Sequence, residues 1–128
     1  MNSVVNELIK LNAEMFAAEN KQQIGGNTWE AFFESTLSLD FRIRRANGFV
    51  VQNKWEMIEQ VRTDDRKRDA PVDVAARAEG DYGVVTSIVT LRGDSSGDKF
   101  HNLKLFQRLD SGSWQCVYWR VTQVTKKQ

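Results

Sequence analysis

The chain has 128 residues, a length that fits one domain, and we expect a single domain over residues 1–128. Hydrophobic residues make up 41% and charged residues 27%, which is ordinary globular composition and excludes a disordered chain. Lys plus Arg total 18 against 17 Asp plus Glu, so the net charge of +1 predicts no nucleic-acid partner. No apolar run approaches the roughly 18 residues of a membrane span, so we predict no membrane partner either.

Cysteine and histidine are scarce. Cys116 is the only cysteine, which excludes an internal disulfide and a cysteine-based zinc site. The N-terminus carries charged residues among its apolar ones, unlike a signal peptide, and we therefore expect a cytoplasmic protein. His101 is the only histidine and no metal ligands cluster around it, so we predict no metal and no cofactor. We interpret His101 as a strand-edge or interface imidazole, with a general base or a metal ligand as the alternatives.

The first part of the chain predicts helices. Residues 3–24 form an amphipathic pattern in which the following residues share one face: Val4, Leu8, Leu11, Met15 and Ala18. Gly25-Gly26-Asn27 ends this helix, and Thr28 is the predicted N-cap of a second, shorter one. A third helix, through about Val61, begins at an Asn53–Glu56 pair that has the spacing of a capping box.

Strands are predicted between and after these helices. Leu39, Phe41 and Ile43 alternate with polar residues, and a turn at 46–48 leads into a short returning strand at 49–51. Residues 62–70 mix both charges and predict a solvated loop. Four further strands are predicted at 72–78, 82–92, 100–109 and 114–124, joined by short turn-rich connections. This order predicts an α+β fold, in which a curved antiparallel meander leaves a ligand cavity beneath its helices.

Several short runs support a family resemblance. They are Leu39-Asp-Phe-Arg-Ile-Arg-Arg-Ala-Asn-Gly48, then Lys54, Phe100-His-Asn-Leu-Lys-Leu-Phe106 and Trp114-Gln-Cys-Val-Tyr-Trp119. The chain resembles the nuclear transport factor 2-like superfamily, which includes SnoaL-like proteins and ketosteroid isomerases, and within it an uncharacterised branch of small bacterial proteins. The resemblance implies a cone-shaped fold, with a curved antiparallel sheet wrapped around three N-terminal helices. It implies no single activity, because this superfamily contains both enzymes and binding domains.

The resemblance to the ketosteroid isomerases breaks down at their two catalytic acids. Arg45 stands where those enzymes place the carboxylate base, at the end of the first strand. Lys104 stands where they carry a protonated Asp that donates to the oxyanion. Arginine stays protonated and cannot act as the base, so steroid isomerisation by that mechanism is disfavoured.

The same resemblance implies which residues line the cavity. We predict a ligand-binding set that combines cations, polar groups and aromatic rings: Trp29, Phe33, Arg45, Trp55, Ser87, Asn102, Lys104, Tyr118 and Arg120. Such a set suits a small, partly apolar ligand with an acidic group, and lyase or isomerase chemistry if turnover occurs. The opposite sheet face, which includes Leu103, Leu105, Val117, Trp119 and Val121, would then form a homodimer interface. Alternation alone favours this Leu-rich face as the interior, and that alternative stays open.

Candidates for catalysis are weaker. Asp40 is either the partner of a nearby Arg in an ion pair or a buried acid that serves in proton transfer. Tyr118 is either a core aromatic or a catalytic hydroxyl, and Cys116 is interpreted as an inert buried thiol. Ser95 and Ser96 are explained by turn formation. The competing function is a non-catalytic dimerisation or protein-interaction domain whose cavity is filled by its own aromatic side chains.

Overall fold

The computed structural model describes residues 3–46, 50–92 and 98–124. Its three helices are α1 (Ser3–Glu19), α2 (Trp29–Thr36) and α3 (Lys54–Thr63). The seven strands are β1 (Leu37–Arg44), β2 (Val51–Asn53), β3 (Lys67–Arg68), β4 (Val72–Glu79), β5 (Tyr82–Arg92), β6 (Lys99–Arg108) and β7 (Trp114–Gln123). The predicted turn residues 47–48, and Ser95 and Ser96, lie outside the described residues.

The helix boundaries follow local hydrogen bonding. α1 ends at Glu19, five residues before the predicted end, because Lys21 takes a φ of 64° and closes a Schellman motif. In that motif the amide of Gln22 donates to the Ala17 carbonyl at 3.0 Å. The two predicted N-caps are confirmed: Thr28 Oγ1 accepts from the Ala31 amide, and Asn53 forms a complete capping box at α3.

One strongly curled sheet carries the fold. Its strands are ordered β2-β1-β7-β6-β5-β3, and β4 also pairs with β5. Every pairing is antiparallel, as predicted, except that β1 and β7 run parallel. Strands that pair in parallel need a long crossover connection, and here most of the chain lies between the two partners. The predicted hairpin and meander are therefore joined into one continuous sheet through this parallel pair.

A β-bulge in β7 decides which side chains face inward. Leu105 pairs with Tyr118 and Phe106 pairs with Cys116, so Val117 is an extra residue on β7. Beyond this point the alternation shifts by one position, and Trp119 is completely buried while Arg120 is exposed. Trp119 and Val121 therefore lie on the helix side of the sheet, not on the opposite face as predicted.

The core lies between the helices and the inner face of the sheet. It is formed mainly by Leu8, Met15, Phe16, Phe33, Phe41, Ile43, Met57, Val85, Val89, Phe106, Cys116 and Trp119. An irregularity in β1 between Leu37 and Arg42 changes the predicted alternation there. Leu37 is buried but Leu39 is 82% exposed, whereas a regular strand would place Leu39 on the inner face together with Leu37, Phe41 and Ile43. No helix in the described part of the chain is long and apolar enough to cross a membrane.

Candidate functional site

A cavity of about 310 Å³ opens between the inner sheet face, the end of α1 and the segment that follows α3. One part of its wall is apolar and contains Phe16, Val50, Val89, Leu91, Phe100 and Val121. The other part is polar and contains Glu19, Arg45, Gln60, Arg66, Arg68 and Asn102. Pockets that combine an apolar wall with a few convergent polar groups are typical of small-molecule sites.

Arg45 follows β1 directly and is held in place by both its backbone and its side chain. Its amide donates to the Val50 carbonyl at 2.9 Å, and its Nε donates to Gln52 Oε1 at 3.0 Å. Gln52 in turn donates to Gln60 Oε1 on α3. Burial is the main influence on the Arg45 side chain and lowers its pKa, although the charge of Glu19 opposes this. A partly desolvated guanidinium of this kind binds a carboxylate more strongly than one in water.

Glu19 is the buried carboxylate of the cavity. It is the last residue of α1 and only 4% exposed, and its Oε2 lies 3.3 Å from Arg68 Nε and 3.8 Å from Arg45 Nη1. Its other oxygen, Oε1, is buried and has no hydrogen-bond partner among the residues that the structure describes. The two arginines place positive charge beside this buried carboxylate, as buried charged groups in proteins require.

The segment from Asp64 to Arg68 forms one rim of the cavity. The side-chain amide of Asn20 holds it in place by donating to the Arg68 carbonyl and accepting from the Arg68 amide, both at 2.9 Å. Asp64 forms ion pairs with Arg66 at 3.0 Å and with Arg68 at 3.3 Å. Burial alone would raise the pKa of Asp64, but the hydrogen bonds from Arg66 and the charge of Arg68 hold it at about 2. The predicted solvated loop at 62–70 therefore contributes two cations to the cavity.

A cluster of buried polar side chains lies next to the part of the cavity wall that contains Phe16 and Asn102. Trp119 Nε1 donates to Asn102 Oδ1 at 2.7 Å, and Lys104 Nζ donates to Asn12 Oδ1, also at 2.7 Å. Lys104 has no exposed surface, and its Nζ lies 3.5 Å from the ring centroid of Phe16 and 4.2 Å from that of Trp119. Burial lowers the pKa of Lys104 to about 7, against the opposing charge of Glu19.

Of the nine predicted ligand-binding residues, Arg45 and Asn102 line the cavity. Phe33, Ser87 and Lys104 are buried but belong to the core around it rather than to its wall. Phe33 packs edge-on against Trp29 at 6.3 Å between centroids, and Ser87 Oγ has no hydrogen-bond partner.

The structure places the remaining predicted residues away from the cavity. Tyr118 and Arg120 lie on the sheet face turned away from the helices, because the bulge at Val117 reverses the alternation. Trp55 is 56% exposed and lies beside Lys54, while Trp29 packs on α2. This corrects the prediction that these four side chains face the ligand.

Two further predictions concern chemistry. Asp40 is exposed, so the interpretation of this residue as a buried acid is wrong. Burial raises the pKa of the Cys116 thiol to about 12, which agrees with its interpretation as inert. Among the residues that the structure describes, no three His, Cys, Asp or Glu side chains lie close enough together to hold a metal ion.

Five residues that line the cavity carry no prediction as site residues: Phe16, Glu19, Gln60, Arg66 and Arg68. A signal for Glu19 exists, because Leu8, Asn12, Met15 and Glu19 recur at helical spacing on one buried face of α1. Two polar residues on a buried helix face are candidates for a polar site beneath it. No comparable signal marks the two arginines, whose position depends on the contact with Asn20.

Comparison with protein-family models finds no match, and comparison with curated proteins finds none either. Comparison with solved structures finds many chains of the same fold. A nuclear transport factor 2-like protein from Cytophaga hutchinsonii is 18% identical, with a TM-score of 0.74 over 97% of this chain and 100% of that one. A candidate ketosteroid isomerase from Shewanella frigidimarina is 15% identical, with a TM-score of 0.66 over 88% and 90% of the two chains. The CaMKII hub of S. rosetta is 13% identical, with a TM-score of 0.72 over 94% and 96%.

Proposed function

From the premise that this chain has the nuclear transport factor 2-like fold, we propose that it binds a small, partly apolar acid in the cavity beside Arg45. The observation that carries the proposal is the division of the cavity wall. Its apolar part suits a hydrocarbon or aromatic group, and its polar part contains three arginines. Planar guanidinium groups pair with carboxylates in a bidentate geometry, and such contacts discriminate strongly against neutral analogues in a partly desolvated site.

The charged groups of the cavity wall support an anion as the ligand. Among the described residues that line the cavity, the cations are Arg45, Arg66 and Arg68, and the carboxylate is Glu19, which pairs with Arg45 and Arg68. A wall with more guanidinium groups than carboxylates favours a negatively charged ligand. If turnover occurs, Arg45 would stabilise an enolate that forms beside a carboxylate, as in lyase or isomerase chemistry.

The test is binding of arylalkanoic acids, measured by isothermal titration calorimetry with benzoate, phenylacetate and phenylpropionate. Each acid is compared with its neutral amide, which has nearly the same shape. We expect the acids to bind at least tenfold more tightly than the amides, since a charged hydrogen bond contributes about 1.5–3 kcal/mol. Equal binding of acids and amides, or no binding of either, would refute the proposal.

Two substitutions locate the site. Arg45→Met removes a cavity cation and is expected to weaken binding of the acids about tenfold or more. Arg120→Met is the matched control, because Arg120 is exposed on the opposite face of the sheet. Arg66→Met provides a second cavity variant in which the substituted side chain is exposed and folding is less at risk. If Arg120→Met weakens binding and the two cavity variants do not, the acid binds elsewhere.

A second candidate function is self-assembly through the outer sheet face. We define this face by Val84, Thr86, Ile88, His101, Leu103, Leu105, Tyr118 and Arg120. Half of these side chains are aliphatic and only partly buried, and association of two copies would remove their exposed apolar surface from water. The fold similarity to a CaMKII hub makes an associative role a reasonable alternative to ligand binding.

Analytical ultracentrifugation tests this second candidate. We propose that the protein is a homodimer, and Leu105→Glu should convert it to a monomer because a charge cannot be buried unpaired in an apolar interface. Leu39→Glu is the control, since Leu39 is 82% exposed in β1. A wild-type monomer at micromolar concentration would exclude the dimer. We place the protein in the cytoplasm, where its single buried thiol remains reduced.

A further inference from the structure

One buried cation lies directly behind the wall of the cavity. Lys104 has no exposed surface, and its Nζ lies 3.5 Å from the centroid of the Phe16 ring. Phe16 also lines the cavity, so one aromatic side chain contacts both the ammonium group and the space proposed for the ligand. Asn102, two residues away on the same face of β6, lines the cavity as well.

The charge of Lys104 is poorly compensated. Its Nζ donates to Asn12 Oδ1, and within the described residues no carboxylate lies within 4.0 Å of it. The titratable groups that act on it are Glu19 from α1 and Cys116 from β7, while Phe16 and Trp119 offer only their ring faces. In such low-dielectric surroundings, a new negative charge nearby strongly favours the protonated amine.

We infer that Lys104 is a proton-dependent determinant of ligand specificity: an acid in the cavity draws a proton onto Lys104, and the protonated amine strengthens binding of that acid. The inference rests on the proposed function. The bound acid raises the proton affinity of Lys104 by the same factor by which protonation of Lys104 raises the affinity for the acid, because coupling between two binding equilibria is reciprocal. The affinity for a neutral ligand of the same shape does not depend on the charge of Lys104. Lys104 therefore increases the selectivity for acids over neutral ligands without touching the ligand.

The size of the coupling follows from the geometry. A ligand atom that contacts the Phe16 ring on the face opposite Nζ lies about 7 Å from Nζ, since each contact takes up one van der Waals distance. With an effective dielectric constant of about 20, the attraction tightens binding of an anion roughly fiftyfold. Burial sets the pKa of Lys104 at about 7 in the free protein, so the affinity for the acid should fall by that factor between about pH 6 and about pH 9.5.

Calorimetry of phenylacetate at about pH 8, in buffers with different ionisation enthalpies, measures the number of protons taken up on binding. We expect uptake of about 0.7 proton with phenylacetate and none with phenylacetamide. The decisive variant is Lys104→Met combined with Asn12→Leu, which removes the amine without leaving the Asn12 amide unpaired. Lys10→Met, on the exposed surface of α1, is the control and should behave as the wild type.

The double variant should bind phenylacetate with no proton uptake and with an affinity that no longer changes between about pH 6 and about pH 9.5. At the upper pH it should equal the wild type. If the double variant binds phenylacetate more weakly by the same factor at every pH, Lys104 has a structural role and the inference is overturned. Proton uptake that persists in the double variant would also overturn it. Phenylacetate binding by the wild type without proton uptake refutes the inference alone, whereas absence of binding refutes the proposed function as well.

Discussion

Replacement of Lys104 by methionine, together with Asn12→Leu, is expected to change how the free energy of unfolding depends on pH. The pKa of Lys104 is about 7 in the folded protein against 10.5 for an ordinary lysine. Below about pH 7 the amine is protonated in both states, so its burial as a cation destabilises the fold. Between the two values the unfolded chain binds more protons than the native one, and the stability of the wild type therefore rises with pH.

The magnitude follows from the size of the pKa difference. Each pKa unit corresponds to about 1.36 kcal/mol, so the full difference contributes on the order of 5 kcal/mol. From about pH 7 to about pH 9.5 the wild type should gain roughly 3 kcal/mol over the double variant. The thiol of Cys116 is present in both proteins and stays neutral in the native state over this range, because burial raises its pKa to about 12.

Urea unfolding curves at several pH values between about 7 and about 9.5 provide the measurement. The double variant should be more stable than the wild type near pH 7, and the difference should shrink as the pH rises. The same pH dependence in both proteins would show that Lys104 stays protonated in the native state over this range, as it does in the unfolded chain. The variant Lys10→Met again serves as the control, because it removes an exposed lysine from the same helix that carries Asn12.

Two other predictions concern stability. Asp64→Asn should cost about 1 kcal/mol near neutral pH, because solvent partly screens the ion pairs of this carboxylate. This loss of unfolding free energy should vanish as the pH falls from about 4 towards about 2, where Asp64 becomes protonated in the native state too. A loss that stays the same at all pH values in urea unfolding would contradict the reasoning. Gly83→Ala should cost about 1–3 kcal/mol, because a Cβ there would lie 2.5 Å from Leu8 Cδ1. Leu8→Val in the same background should restore part of that stability in a thermal melt, and no recovery would argue against the clash.

Most of the fold could be predicted because it depends on short-range patterns. Thr28 and Asn53 cap their helices through side-chain contacts within three residues, which the sequence displays directly. The boundaries of β5 match the prediction because its β-branched residues and flanking turns lie together in the chain. The parallel pairing of β1 with β7 has no such local signal, since it joins residues at opposite ends of the chain.

The candidate site was harder to predict, because its residues depend on contacts between distant segments. Arg45 lines the cavity, and it was predicted there from the family resemblance, which places a functional residue directly after the first strand. Arg66 and Arg68 belong to a charged stretch that looks like an ordinary surface loop until Asn20 holds its backbone. The charged side chains of this stretch reach the cavity only because of that tertiary contact. The hydrophobic periodicity of the sequence gives no sign of such a contact.

The extra residue at Val117 has a consequence for comparing chains of this architecture. A single insertion there exchanges the inner and outer surfaces for the rest of β7 while leaving strand number, length and pairing order intact. Two relatives can therefore superpose closely and still present different side chains to the ligand at corresponding positions. Functional residues on this strand must accordingly be matched by the side of the sheet they occupy, rather than by their count from the preceding turn.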